Sequence, residues 1–303
     1  MKKIEFNKYN KTKKNHFLPQ SYLRFFSNNT DYITVYDKDT NQFFKSNISN
    51  IGMKNKLYVI ENKNIKINWE EFYTKAIDND IAEMIRNVVS TTNKYYIEKP
   101  LSINNIKEQL ALAMVIQSLR IPQRIYSQKN TYFDILNCLF DSVAKQNIFD
   151  DKFLEELKTK FSSEMYYKDI FFEVANNEYR IDKFAQVLLR KTWIIFVNRT
   201  DVDFLIGDNP VLIYDFVNKS TGIHNGFSNA ETIIAYPITP KYMIAIFPNQ
   251  YLFGKIKEIF SDKRMEIYEE AVIHSYNKYQ FLSSEKQFYG KNENEIKNLL
   301  KLL

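Results

Sequence analysis

Cysteine occurs once, at Cys138, and histidine three times, at His16, His224 and His274. A single thiol excludes an intrachain disulfide and any cysteine-cluster zinc site, and it fits a reducing, cytoplasmic setting. Three widely spread imidazoles supply a multi-histidine metal centre only if all of them converge, so no metal site is expected. Six glycines and seven prolines in 303 residues leave little material for long flexible linkers. No stretch approaches the ~20 apolar residues that span a bilayer, so no membrane segment is expected. The N-terminal lysines are not followed by the apolar run of a secretion signal. No Walker loop, Gly-x-Gly-x-x-Gly, Gly-x-Ser-x-Gly or His-Glu-x-x-His occurs. P-loop NTPases, Rossmann dehydrogenases, α/β-hydrolases and zincins therefore drop from the leading readings.

What the chain has in quantity is aromatic: 24 Phe and 21 Tyr, 16% with tryptophan. Hydrophobic residues at 45% and charged residues at 26% are ordinary for a folded globular protein. The net charge of +6 is unevenly placed. Residues 1–14 hold six lysines and one acid, which leaves 36 basic and 35 acidic groups for the remainder. The body is nearly neutral, and residues 1–14 form a basic arm. Such an arm suits contact with nucleic-acid phosphate, and equally a solvated lysine tail.

The pattern along the chain runs β, then α, then β. Short aromatic or β-branched runs at Tyr32–Tyr36, Gln42–Phe44 and Lys56–Ile60, with alternation over Lys63–Trp69, make 31–69 β-rich. Helical periodicity takes over from 70 to 191, with segments at 131–147, 150–161 and 181–191, and with Asp150 and Asp151 as candidate caps. Strands return in 192–282: Thr192–Val197, Phe204–Ile206, Val211–Tyr214, Thr232–Tyr236 and Tyr242–Phe247. A helix near 265–276, a short Tyr279–Leu282 strand and a helical tail over 291–303 complete the reading. The fold class predicted is α+β: a small N-terminal antiparallel β-region, a central helical body and a C-terminal antiparallel sheet, with 15–290 as a single domain.

Three segments carry polar residues that packing alone does not demand. In Asn15-His16-Phe17-Leu18-Pro19-Gln20-Ser21-Tyr22-Leu23-Arg24, Pro19 leads into a short helix on which Gln20 and Arg24 share a face. His16 is either a general base or an anchor for the N-terminal segment. The helix of Lys107–Arg124 is apolar almost all round, yet Gln109, Gln117 and Arg120 fall on one stripe. Arg120 and Arg124, flanking Pro122, suit bidentate phosphate or carboxylate binding, or a structural clamp on an acid or on free carbonyls. Gly207-Asp208-Asn209-Pro210 joins two apolar strands, and Asp208 reads either as a turn former or as a carboxylate displayed for chemistry. His224 and His274 read as incidental.

These segments, in this order, resemble the bacterial family known as domain of unknown function 4238. The resemblance lies in His16-Phe17-Leu18-Pro19-Gln20-Ser21-Tyr22-Leu23-Arg24-Phe25-Phe26, in the Arg120-Ile121-Pro122 helix end, and in Trp193 with Phe204–Val211. The Tyr236-Pro237-Ile238-Thr239-Pro240 step extends it. Gly207 stands where a Ser or Thr is common in the family. The resemblance implies a shared fold and brings no reaction, but it adds weight to His16, Gln20, Arg120 and Asp208 as one assembled site.

Three readings stay open. In the first, the chain is a hydrolase or transferase acting on a phosphate-containing substrate, RNA or a nucleotide, in the manner of a nuclease-like toxin or phage-defence effector. His16, Asp208 and Arg120 are then catalytic, with Gln20, Arg24, Gln117, Arg124 and Asn209 holding substrate. In the second, the same residues fix a small anionic ligand without turnover. In the third they form buried hydrogen-bond networks in a structural or partner protein. The sequence names no cofactor.

Overall fold

The computed structural model describes residues 13–61, 66–146, 148–221, 225–250 and 253–303. Most of the predicted basic arm, residues 1–12, and His224 lie outside the described residues.

The chain enters through β1 (Lys14–His16) and α1 (Gln20–Phe26), then makes the hairpin of β2 (Tyr32–Asp37) and β3 (Gln42–Asn47). Next, β4 (Met53–Asn55) returns to pair with β1, setting His16 opposite Met53. Two short strands, β5 (Val59–Glu61) and β6 (Lys66–Asn68), close the N-terminal β-region. This corrects the predicted Lys56–Ile60 strand. Lys56 takes a left-handed φ of 53°, so the first three residues of that run form a turn after β4 and only Val59 and Ile60 are strand, at the start of β5.

The helical body follows: α2 (Glu70–Tyr73) running on as a π-turn over Thr74–Asp78, α3 (Ile81–Thr92), α4 (Ile106–Leu119) and α5 (Pro122–Ser127). After these come α6 (Lys129–Ala144), α7 (Asp151–Phe161), α8 (Glu164–Ala175) and α9 (Glu178–Leu189). Caps punctuate it as the side-chain chemistry requires. Asp150, Ser163 and Asn177 accept amide protons from the first turns of α7, α8 and α9. The central α4 buries Leu110, Ala111, Met114, Val115 and Ile116 around most of its girth and packs on α3 and α9. By contrast, α6 buries none of its side chains.

The C-terminal part adds β7 (Thr192–Asn198), β8 (Ile206–Gly207), β9 (Leu212–Asp215), β10 (Ser220–Thr221), β11 (Thr232–Thr239) and β12 (Tyr242–Phe247). It ends with α10 (Gly254–Phe260), β13 (Arg264–Ile267), α11 (Glu270–Ser283), β14 (Gln287–Gly290) and α12 (Glu293–Leu300). The larger sheet has the order β10-β9-β11-β12-β7-β13. It is antiparallel except at its edge, where β13 runs parallel to β7 after the α10 crossover. Alternation along the strands splits its two faces. Trp193, Ile195, Ile234, Tyr236, Ile244 and Ile246 join the main core with the helices. Phe196, Leu212, Ala235 and Met243 pack outward, under Ile273 and Tyr276 of α11.

Two predicted elements change here. The helix expected near 265–276 begins later, at Glu270, and the expected Tyr279–Leu282 strand is its final turns. The buried residues Ile273, Tyr276, Asn277, Gln280 and Ser283 recur at helical steps, and the polar ones among them misled an apolar-pattern reading. The second sheet, β3-β2-β14-β8, could not be seen locally, because it inserts β14 from near the C-terminus between β2 and β8.

Candidate functional site

The first segment is held by backbone. The carbonyl of Gly52 accepts the amides of Phe17 and Leu18 at 2.8 and 3.0 Å. Gly52 has a φ of +58°, and a Cβ there would lie 2.8 Å from the Leu18 Cβ, so position and conformation both favour glycine. Tyr22 on α1 stacks on Tyr236 at 5.4 Å and donates to the Pro237 carbonyl at 2.6 Å. The opening segment is thereby pinned to the larger sheet.

Arg120, at the C-terminal end of α4, has no exposed side-chain surface. Its guanidinium donates to both oxygens of Asp78, at 2.6 and 3.3 Å, and to the His16 carbonyl at 2.5 Å. It lies over the Tyr73 ring, 5.2 Å from the centroid. Burial opposes its charge, but Asp78, with Tyr58 and Glu70, outweighs burial and raises its basicity, so it is charged at every physiological pH. Tyr58 donates to the Arg120 carbonyl at 2.9 Å, and Gln117 to the Phe17 carbonyl at 2.7 Å. Among the described residues, Arg120 Nε and Gln117 Oε1 are buried without a hydrogen-bond partner.

His16 contributes its backbone to this network twice, since its amide also donates to Glu70 Oε1 at 3.1 Å. Its half-buried ring lies 3.2 Å from the Ser49 carbonyl and 3.3 Å from the Gln20 amide, both measured from Nε2. The Ser49 carbonyl only accepts and the Gln20 amide nitrogen only donates, so Nε2 serves one of these two contacts in each neutral tautomer of the ring. Burial lowers the His16 pKa, with the Ser49 contact opposing. Burial pushes the Glu70 carboxyl up to about 7, against the His16 amide and Arg120.

Asp208 is satisfied differently. Its carboxylate accepts the backbone amides of Glu285, Lys286 and Gln287 at 2.7, 2.6 and 3.0 Å, capping the turn between α11 and β14. Burial raises its pKa, and these three amides and then Lys38 oppose it. Beside it, Asn209 donates to Ser283 Oγ at 3.2 Å and to Gln123 Oε1 at 3.4 Å, while Gln280 donates to the Asn209 carbonyl at 2.6 Å. A Cβ at Gly207 would run into the Ser284 side chain, which accounts for glycine at that position in this chain.

The three segments meet. Phe17, then Ile121, Pro122 and Gln123, then Asp208 and Asn209 line one cleft of about 260 Å³. Lys54, Glu285 and Lys286 stand exposed at its rim. The family profile described as Protein of unknown function (DUF4238) matches residues 14–294, the span that contains every wall of this cleft. The chain belongs to that family. No curated protein and no solved structure matches it.

Within this DUF4238 chain the predicted residues separate into two groups. His16, Gln20, Gln117 and Arg120 belong to the buried network, Asp208 and Asn209 to the cleft floor, and no hydrogen bond or ion pair joins the groups among the described residues. Neither His16 nor Arg120 lines the cleft; their chain neighbours Phe17 and Ile121 do. Arg24 forms an exposed ion pair with Asp31 at 2.8 Å, and Arg124 is half-buried on α5, where burial lowers its pKa. Gln109, expected on a stripe with Gln117 and Arg120, is exposed and lines a separate pocket beside α3.

Sequence reasoning missed Asp78, Glu70 and Tyr58 in the network, and Gln123, Lys54 and Glu285 at the cleft. For Asp78 a signal existed: a guanidinium on an otherwise apolar helix needs a buried acid, and Asp78 closes an amphipathic turn. Among the described residues, no group of three or more His, Cys, Asp or Glu is placed to hold a metal ion. No described helix is long and apolar enough to cross a membrane.

Proposed function

We propose that the cleft is the binding site for a small polar organic molecule, and that the chain acts as a small-ligand binding module. One observation carries this reading: three segments far apart in sequence, the same ones that define the family resemblance, each supply a wall of a single cleft. A few convergent polar groups in a concavity are the usual form of a ligand site. Here the Asp208–Asn209 turn makes a rigid floor, Gln123 an amide wall, and Lys54, Glu285 and Lys286 a rim of mixed charge.

Recognition is favoured over turnover because the charges assigned to chemistry are already engaged. Arg120 is clamped to Asp78 and a carbonyl, and Asp208 holds three amides. Both act as fixtures that hold the walls in place, and preorganised walls raise affinity by reducing the ordering cost of binding.

The reading is tested by saturation-transfer NMR with adenosine, nicotinamide and glucose as probes, on the intact chain and on Gln123→Trp. Gln123 is half-buried on the cleft wall, so an indole there fills the cavity without entering the core. Transfer to at least one probe with the intact chain, and to none with the variant, supports the cleft. Equal transfer with both proteins, or none with the intact chain, overturns it.

A further inference from the structure

We propose that the ligand carries a phosphate group, seated in a basic groove that continues from the cleft along α5; the inference rests on the cleft reading and specifies the class of ligand. The groove is lined by Lys54, Lys56, Tyr126, Glu164 and Lys168 among others, and its volume is about 660 Å³. Lys54 lines both cavities. So does α5, because Pro122 and Gln123 face the cleft while Tyr126, one turn on, faces the groove. The two hollows are therefore the ends of one elongated site.

Charge at the groove end is unbalanced in favour of an anion. Lys54, Lys56, Lys129 and Lys168 gather about two carboxylates, Glu61 and Glu164. Glu164 is shared, 3.3 Å from Lys168 and 3.5 Å from Lys129, and half its side chain is exposed. Lys168 is the informative member, with only 10% of its side chain exposed. Its ammonium reaches the Lys56 carbonyl at 3.3 Å and lies 5.9 Å from the Tyr126 ring. The Lys54 ammonium sits over the same ring at 4.4 Å. Burial lowers the Lys168 pKa, Glu164 opposes it, and Lys54 and Lys129 lower it further, so this ammonium is held in the groove against its own solvation and beside the like charge of two lysines. A phosphate bridging these lysines would relieve that repulsion through charge-assisted hydrogen bonds. The uncharged polar remainder of the molecule then enters the amide-walled cleft beside Gln123 and Asn209.

A nucleotide and a sugar phosphate share this chemistry, and titration calorimetry separates them. Adenosine monophosphate, glucose 6-phosphate, adenosine, glucose and inorganic phosphate are titrated into the full chain, into Lys168→Met and into Lys56→Glu. The expected result is that one of the phosphorylated compounds binds at least tenfold more tightly than its unphosphorylated counterpart, that salt weakens it, and that both lysine variants lose at least tenfold. Lys56 is exposed, so its variant keeps the test intact if the buried substitution fails to fold. Equal affinity for phosphorylated and unphosphorylated partners, or unchanged affinity in Lys56→Glu, overturns the phosphate assignment. Either result leaves the cleft reading standing wherever Gln123→Trp still abolishes binding. Loss in the lysine variants with none in Gln123→Trp instead leaves an anion groove and removes the cleft.

Discussion

Arg120 and Asp208 are both charged, both almost wholly buried and both part of the family resemblance, yet their surroundings treat them in opposite ways. Arg120 is neutralised by a second side chain, Asp78, within a network that also takes in Tyr58, Tyr73 and the backbone of His16. Among the described residues Asp208 has no ion pair, and it is held by backbone, three consecutive amides leading into β14. A charge matched by another charge ties distant helices together and needs no opening to solvent. A charge matched by amides fixes one loop, and that loop is free to form the floor of a cavity. The difference teaches that position in a family motif does not assign a residue to a site. What a residue is paired with, and which way its neighbours face, does.

The comparison is broken most severely at Arg120. Replacing it by Met leaves the Asp78 carboxylate without its counter-ion, and loss of one partner of a buried pair costs about 3–5 kcal/mol. Urea unfolding should show this loss, and Asp78→Ala in the same background should restore part of it. An Arg120→Met protein as stable as the parent would mean that the network is not holding the segments together.

Next in size is the pH response of Glu70. Its folded pKa, about 7 against an ordinary 4.5, means that the folded chain binds the extra proton between those values. Stability from this group is therefore present below about pH 4.5 and falls as pH rises through 7, by at most ~3 kcal/mol. His16 works the other way. Its lowered pKa makes the folded chain gain stability as pH rises toward the ordinary histidine value. Glu70→Gln should remove the fall and leave the His16 rise, seen by urea titration between pH 4.5 and 8. A stability profile unchanged by this substitution would separate Glu70 from the network.

The smallest effect is expected at the cleft floor. Asp208→Asn keeps the shape but replaces one carboxylate oxygen by a donor that faces an amide, at a cost of about 1–3 kcal/mol. Amide exchange at Glu285, Lys286 and Gln287 should accelerate in that variant while amides of α4 stay protected. Uniform acceleration would erase the distinction between a local turn and a global clamp.

Much of the fold was legible because its signals are local. The period of α4, the Asp150 cap, the β2–β3 hairpin and the Tyr242–Phe247 strand each follow from spacing within a short window. The parallel edge strand β13 and the insertion of β14 were not legible, since strand partners chosen across the whole chain leave no periodic trace in either strand. For the site, sequence gave the segments but not the division within them. His16 beside Phe17, and Arg120 beside Ile121, differ by one step along the backbone, and one step decides which side chain enters the network and which lines the cleft. Lys54, Glu285 and Lys286 carry no sequence signal at all, being surface charges until the fold places them at a rim.

The place of β14 has a consequence for how this polypeptide leaves the ribosome. Strands β2 and β8 are hundreds of atoms of chain apart and touch only through a segment near the C-terminus. Until β14 is synthesised, both strands present open edges that invite wrong pairings. The same late segment supplies the amides that Asp208 requires. Formation of the cleft floor thus waits for β14, and a nascent chain truncated before Glu285 would emerge with the cleft unformed.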